Sequence, residues 1–329
     1  MSDARMHAAH LLCLDLREQP PRPASTPPQK CVLCLGNFDG VHVAHAELIR
    51  RGVSLARSLS DARGENISCG VLAFFRPSSD FFPRAGAPVG HLTTLREKLA
   101  LFTRFGIEFA YLCDFSAVRS MPADDFITLL ETEVGCVGAI CGFNHRFGKG
   151  AVGTPTLLTE HFGEDAVIVV PEIAIDGVTV SSTNVREAIL RGDMGLAARL
   201  LGRPYSIETT VRSGKRLGRT LGFPTANQPL PAESIIPAHG VYVARCHTPA
   251  GVFPAVANIG CHPTVDKEAE VNCETYVLHY TGDLYGQRIK TELLAHLRPE
   301  QRFSDLESLR DAIAKDAEAA ARYIETHSI

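Results

Sequence analysis

The chain has no tryptophan and four methionines among 329 residues, and phenylalanine with tyrosine brings the aromatic share to 7%. Its cores must therefore be built mainly from aliphatic side chains. Charge of one sign is also scarce: 33 basic residues face 37 acidic ones, a net of -4. That balance excludes a general nucleic-acid binder, which needs a basic face to gather phosphates, so any phosphate recognition is local. Long apolar runs are absent too. Leu11–Leu16 is interrupted by Asp15 and flanked by His10 and Arg17, too short for a membrane span or for the core of a signal peptide. The expectation is a cytoplasmic protein with no membrane partner. Ten cysteines are scattered, and Cys31, Cys34, Cys113 and Cys141 lie inside apolar stretches. They read as small buried hydrophobes in a reducing compartment, not as a disulfide framework. At 45% hydrophobic and 21% charged, the length suffices for two domains with full cores.

What is present is organised around Leu35–Leu48, L-G-N-F-D-G-V-H-V-A-H-A-E-L. The apolar run Cys31–Leu35 ends at Gly36-Asn37, and a helical pattern through Ala46, Leu48, Ile49 and Val53 begins just after His42 and His45. This is a buried strand, a tight turn and a helix start. Unpaired N–H groups and the positive end of the dipole make such a start a phosphate site. Gly36 and Gly40 let the backbone approach a ligand, Asp39 orients the turn, and the two histidines can donate to phosphate oxygens. A nucleoside triphosphate is the expected ligand. Cys31-x-x-Cys34 with His42-x-x-His45 superficially suggests zinc, but the gap is short and residues three apart on a strand point to opposite faces.

Residues 19–30 form a Pro-rich spacer after an amino-terminal strand or frayed extension. Ser68–Phe75 reads as a second buried strand, ending at Arg76-Pro77. An amphipathic helix follows over 92–105 (Leu95, Leu99, Phe102), then a strand over 107–113, a helix over 126–133 and a strand over 137–141. That alternation predicts a parallel sheet with helices on both faces and ligands at the carboxyl ends of its strands. One such end carries the glycine-rich turn Gly142–Gly150, with Asn144, Arg146 and Lys149. Ser181, Ser182 and Thr183 precede Arg186 on a helix through Leu190, and Met194–Leu201 is a further helix. From Tyr205 the grammar changes to short strands over 206–211, 241–246, 253–257, 274–280 and 287–294, which predict a small antiparallel barrel. A capping box, Ser304 to Glu307, opens a last helix with the stripe Leu306, Leu309, Ile313, Ala317, Ala320 and Ile324. Gly214–Arg219 is not a Walker loop, because its glycine spacing is one short and Arg219 stands where lysine belongs.

The spacing G-x-F-D-G-x-H-x-x-H at residues 36–45 resembles the first signature of the prokaryotic bifunctional riboflavin kinase/FAD synthetase family, with Ala44 where its wider nucleotidyltransferase class has glycine. Residues 142–148 are similar to that family's G-x-N/D-F-x-F-G segment, with His145 in place of an aromatic, and Ser181–Arg186 to its S-S-T-x-I/V-R element. Gly214–Arg219 and Leu221–Asn227 resemble the G-x-x-x-G-R and G-F-P-T-A-N pair of riboflavin kinases. Gly240-Val241-Tyr242, Asn258-Ile259-Gly260, Glu274 and Asp283–Gly286 follow in family order. The resemblance implies a Rossmann-like nucleotidyltransferase domain over 31–203, a riboflavin kinase barrel with a carboxy-terminal helix over 204–329, and an extension over 1–30.

It implies two reactions: ATP phosphorylates riboflavin to FMN, and FMN is adenylylated to FAD with release of pyrophosphate. Glu274 is the implied base. Thr225 and Asn227 would hold Mg²⁺, and Gly214, Gly218 and Arg219 would hold ATP phosphates. Gly36, Phe38, Asp39, Gly40, His42, His45, Ser182, Thr183 and Arg186 would serve adenylyl transfer, which needs alignment and charge neutralisation but no protein base. Asn144, Arg298 and Phe303 would contact the flavin. Two alternatives stay open: a riboflavin kinase with a degenerate adenylyltransferase half, and a flavin- or nucleotide-binding regulator without turnover.

Overall fold

A computed structural model of the protein describes residues 11–18, 21–24, 27–75, 90–213, 218, 221–264 and 267–327. The turn at Arg76-Pro77, together with Gly214 and Arg219, lies outside them. The chain divides into two compact units that meet in sequence at Ser182 and Thr183, with Gly90 counted in the second.

The first unit is a seven-stranded sheet. Its strands are β1 (Leu11–Asp15), β2 (Arg22–Pro23), β3 (Cys31–Leu35), β4 (Ser68–Phe74), β5 (Phe109–Cys113), β6 (Cys136–Gly142) and β7 (Val167–Val170), in the order β2-β1-β5-β4-β3-β6-β7. Strands β5, β4, β3, β6 and β7 are parallel, as the alternating pattern requires. Strand β1 pairs antiparallel with β5, and β2 with β1, Leu14 opposite Pro23. The Pro-rich stretch is thus more than a spacer. A proline is tolerated there because an edge strand leaves some N–H positions without a ladder partner.

All five residues of β3 are buried, since helices cover both faces. Val32 and Cys34 pack with α1 (Val43–Arg63) and α2 (Leu95–Arg104). Cys31, Leu33 and Leu35 pack on the other face with α3 (Ala123–Thr132) and α4 (Pro155–Phe162). Cys31 and Cys34 therefore enter different cores. Helix α1 approaches closely at Gly52, where a β-carbon would lie 2.5 Å from Cys34 Sγ. Helix α4 and strand β7 have no counterpart in the sequence reading.

The second unit opens with α5 (Ser182–Leu190, from Thr183 on) and α6 (Met194–Leu201), followed by six antiparallel strands. These are β8 (Tyr205–Thr210), β9 (Thr225–Pro229), β10 (Gly240–Thr248), β11 (Gly251–Thr264), β12 (Lys267–Val277) and β13 (Arg288–Arg298). Their order is β8-β13-β10-β11-β12-β9. The curled sheet is closed by one bridge, Arg212 N donating to Asn227 O at 2.9 Å. Gln228 Nε2 adds bonds to the carbonyls of Ile207 and Ile289. Inside, Gln228, Thr275 and Thr291 are fully buried and bonded to one another, which removes the cost of burying them. Thr225–Asn227, expected as a turn, instead begin a strand, and Pro229 ends it.

Helix α7 (Leu306–His327) lies on the outer face, with Ala317, Ala320, Ala321 and Ile324 against Val241, Val243, Val256 and Leu294. Leu306 is exposed and drops out of the expected stripe. The cap also differs: Asp305 Oδ1 accepts from Ser308 N at 2.7 Å, and Ser304 merely donates to Asp305. A carboxylate outcompetes a hydroxyl there because it also meets the helix dipole. Among the described residues no helix is long and apolar enough to cross a membrane.

Two candidate active sites

The first site is the turn from β3 into α1. Three residues there are left-handed: Phe38 (φ 50°), Gly40 (φ 83°) and Val41 (φ 40°). Such a conformation in a β-branched residue is strained, by roughly 1–3 kcal/mol, and persists where the surroundings impose it. Here they do. The Asp39 carboxylate, 2% exposed, accepts from Leu92 N at 3.0 Å, Gly40 N donates to Thr93 Oγ1 at 3.1 Å, and Ser182 Oγ donates to Asp39 O at 2.8 Å. Asp39 thus orients the turn. Phe38 is fully buried, edge-on to Phe102.

His42 caps α1: its Nδ1 accepts from His45 N at 3.3 Å, which leaves its proton on Nε2. The two imidazoles stack, centroids 3.6 Å apart and planes 11° from parallel. Burial, with His42 and Lys98 nearby, holds His45 well below the usual imidazole range, so it is neutral at physiological pH. Its Nδ1 is buried without a protein hydrogen-bond partner, and an anion oxygen is the kind of group that would satisfy it. Ala44 lies in the first turn of α1 and has no positive φ, so the freedom of glycine is not required at that position. Thr183 is exposed, and Arg186 is buried with Nε donating to Gly90 O at 2.8 Å.

The second glycine-rich turn leaves β6. Asn144, Arg146 and Lys149 are exposed, while His145 is half-buried and, mainly through burial, pushed down to about 4. Gly148 has φ 71° and packs so tightly that a β-carbon would be 2.8 Å from Ala123 Cα. The shape of this turn is fixed by packing, which leaves its polar side chains outward.

The other site lies on the barrel. Asn227 is directly across from Glu274 between β9 and β12, Asn258 is across from Glu274 on the other side, and Thr225 is across from Tyr276. Opposite residues and residues two apart share a face, so Thr225, Asn227, Asn258 and Glu274 converge on the half-buried outer face. Phe223 stands edge-on to Tyr276, 5.2 Å between centroids. Gly218 joins this group: its carbonyl accepts from Phe223 N at 2.8 Å, and a β-carbon on it would be 2.4 Å from Phe223 O and 3.5 Å from Thr225 Oγ1.

Carboxamide, hydroxyl and carboxylate oxygens in one patch fit a hard divalent cation that shares its shell with phosphates. Among the described residues no three His, Cys, Asp or Glu side chains are grouped to hold a metal by themselves. Arg298, expected to contact the flavin, is also engaged within the fold. It forks onto Asp316 of α7, Nη2 to Oδ2 at 2.7 Å, and lies 5.8 Å from the Phe303 ring centroid. Asn258, from the Asn258-Ile259-Gly260 segment, gains a place in the patch through its register with Glu274.

Comparison with known proteins follows the same division. The family described as FAD synthetase matches residues 24–184, and the one described as riboflavin kinase matches residues 201–324. A bifunctional riboflavin kinase/FMN adenylyltransferase of Escherichia coli K12 is 35% identical over 91% of this chain and 95% of its own length. Its counterpart from Bacillus subtilis is 31% identical, covering 89% and 92%. A crystal structure described as a macrolide-efflux protein from Streptococcus pneumoniae is similar with a TM-score of 0.79 at 29% identity, over 90% of this chain and 95% of that one. With both halves matched in order and such relatives covered almost end to end, the chain belongs to the bifunctional riboflavin kinase/FMN adenylyltransferase family.

Proposed function

We propose that the chain makes FAD from riboflavin in two ATP-dependent steps, with residues 204–329 phosphorylating riboflavin and residues 31–203 adenylylating the resulting FMN. The observation that carries this reading is the register placing Asn227 opposite Glu274, beside Thr225 and Gly218. It sets a carboxylate next to neutral oxygen donors. A primary hydroxyl is a weak nucleophile, and Glu274 takes its proton as it attacks the γ-phosphorus of ATP, with ADP leaving. Thr225 and Asn227 would hold Mg²⁺, which when bound neutralises phosphate charge. Gly218, with Gly214 and Arg219, would meet the ATP phosphates.

In the second step the nucleophile is already an FMN phosphate oxygen. It attacks the α-phosphorus of ATP, and pyrophosphate leaves. The work of the protein is to align the phosphates and to meet their charge at the α1 N-terminus. His42 donates through Nε2, Gly36 and Gly40 admit the phosphates, and Ser182, Thr183 and Arg186 attend the leaving pyrophosphate. Asn144 contacts the flavin. Free thiols at all ten cysteines fit a reducing cytoplasm.

Incubation with riboflavin, ATP and Mg²⁺, followed by chromatography, tests the reading. FAD is the expected product. FMN alone would reduce the amino-terminal half to a degenerate domain, and neither product would leave a binding protein.

A further inference from the structure

Helix α2 turns its buried stripe onto the β3–α1 turn, and that stripe contains a lysine. Lys98 is 3% exposed, between Leu95 and Leu99 on the face that also carries Phe102. Its Nζ donates to the carbonyl of Asn37 at 3.3 Å. Within the same segment Leu92 and Thr93 hold Asp39 and Gly40, and Phe102 packs on Phe38. Residues 92–102 therefore fix four consecutive residues of the turn. A buried ammonium costs several kcal/mol of lost hydration, so its place against the turn is a position the fold holds at some expense.

We propose that Lys98 is a positioning residue for adenylyl transfer, pinning Asn37 so that the turn keeps its shape and adding fixed positive charge behind the backbone that receives the triphosphate. The inference rests on the adenylyl-transfer reading of this site. Lys98 is also among the groups that depress the His45 imidazole, after burial and His42.

The test uses the full chain with Lys98→Met and Lys98→Arg, and Lys98→Gln should the methionine variant prove insoluble. FAD formation from supplied FMN and FMN formation from riboflavin are measured on the same preparations, and the His45 ring is titrated by NMR. In Lys98→Met, kcat for FAD formation should fall by about tenfold or more. The His45 titration should move upward, because a repelling cation is gone, while FMN formation stays at the parental rate. Lys98→Arg should restore both the FAD rate and the titration. Parental FAD formation in Lys98→Met, an unmoved His45, or an arginine variant no better than methionine would overturn the proposal. A parent protein that makes no FAD would overturn the adenylyl-transfer reading instead, and the titration would still report whether Lys98 acts on His45.

Discussion

Asn227 faces Glu274 across β9 and β12, and Glu274 faces Asn258 across β12 and β11, so one carboxylate stands between two carboxamides on a single strip of the barrel. The arrangement separates two jobs, proton acceptance and cation support. Glu274→Gln keeps the shape and removes the base, and should lower kcat for FMN formation by roughly 10²–10⁴-fold. Asn227→Ala should abolish FMN formation. Both variants should make FAD from supplied FMN at the parental rate. A joint loss of the two activities would contradict separate sites.

Gly218→Ala tests the kinase loop through sterics alone. The added methyl would sit 2.4 Å from a backbone carbonyl, that of Phe223, and a backbone atom cannot rotate away as a side chain can. The turn has to open next to Thr225. KM for ATP in the kinase reaction should rise by about tenfold or more, with FAD formation from FMN as the unchanged control. Unaltered kinase kinetics would show that the turn is not part of the ATP site.

Much of this was legible in the chain. The abrupt end of an apolar run at Gly36, the alternation of strand and helix, and the later change to short strands fixed both folds, because burial imposes those periods. What is not legible locally is set by distant partners. Thr225–Asn227 reads as a turn after Pro224, and becomes a strand only because β12 offers it a ladder. Arg22–Pro23 reads as a spacer until β1 pairs with it. Arg298 was visible as a basic residue, but its partner Asp316 lies 18 positions on and is chosen by the docking of α7. Lys98 did carry a local signal, a charge in phase with Leu95, Leu99 and Phe102, and such a violation of pattern marks a site more often than an error.

Acid should loosen the first unit through His145 as well as through His45. With its folded value pushed down to about 4 from an ordinary 6.5, the native state binds fewer protons than the unfolded chain between those values. Stability therefore rises with pH in that window and is lost as pH falls from about 6.5 towards 4. Urea unfolding of the parent across this range should show the loss, and His145→Gln should make it shallower, since the amide does not titrate while His45 still does. Identical slopes in the two proteins would mean that His145 is hydrated and titrates normally.

Arg298 and Asp316 provide a choice between structure and ligand binding. Their side chains are 20% and 11% exposed, and the guanidinium reaches both carboxylate oxygens from Nε while Nη2 takes the shorter bond. Removing only the arginine strands a buried carboxylate beneath α7. Arg298→Met should therefore cost about 1.5–3 kcal/mol, read as faster amide hydrogen exchange over residues 306–327. Arg298→Met combined with Asp316→Leu should recover much of the protection, because no unpaired charge is left behind. If exchange stays parental while the KM for riboflavin rises, the arginine serves the flavin and not the helix.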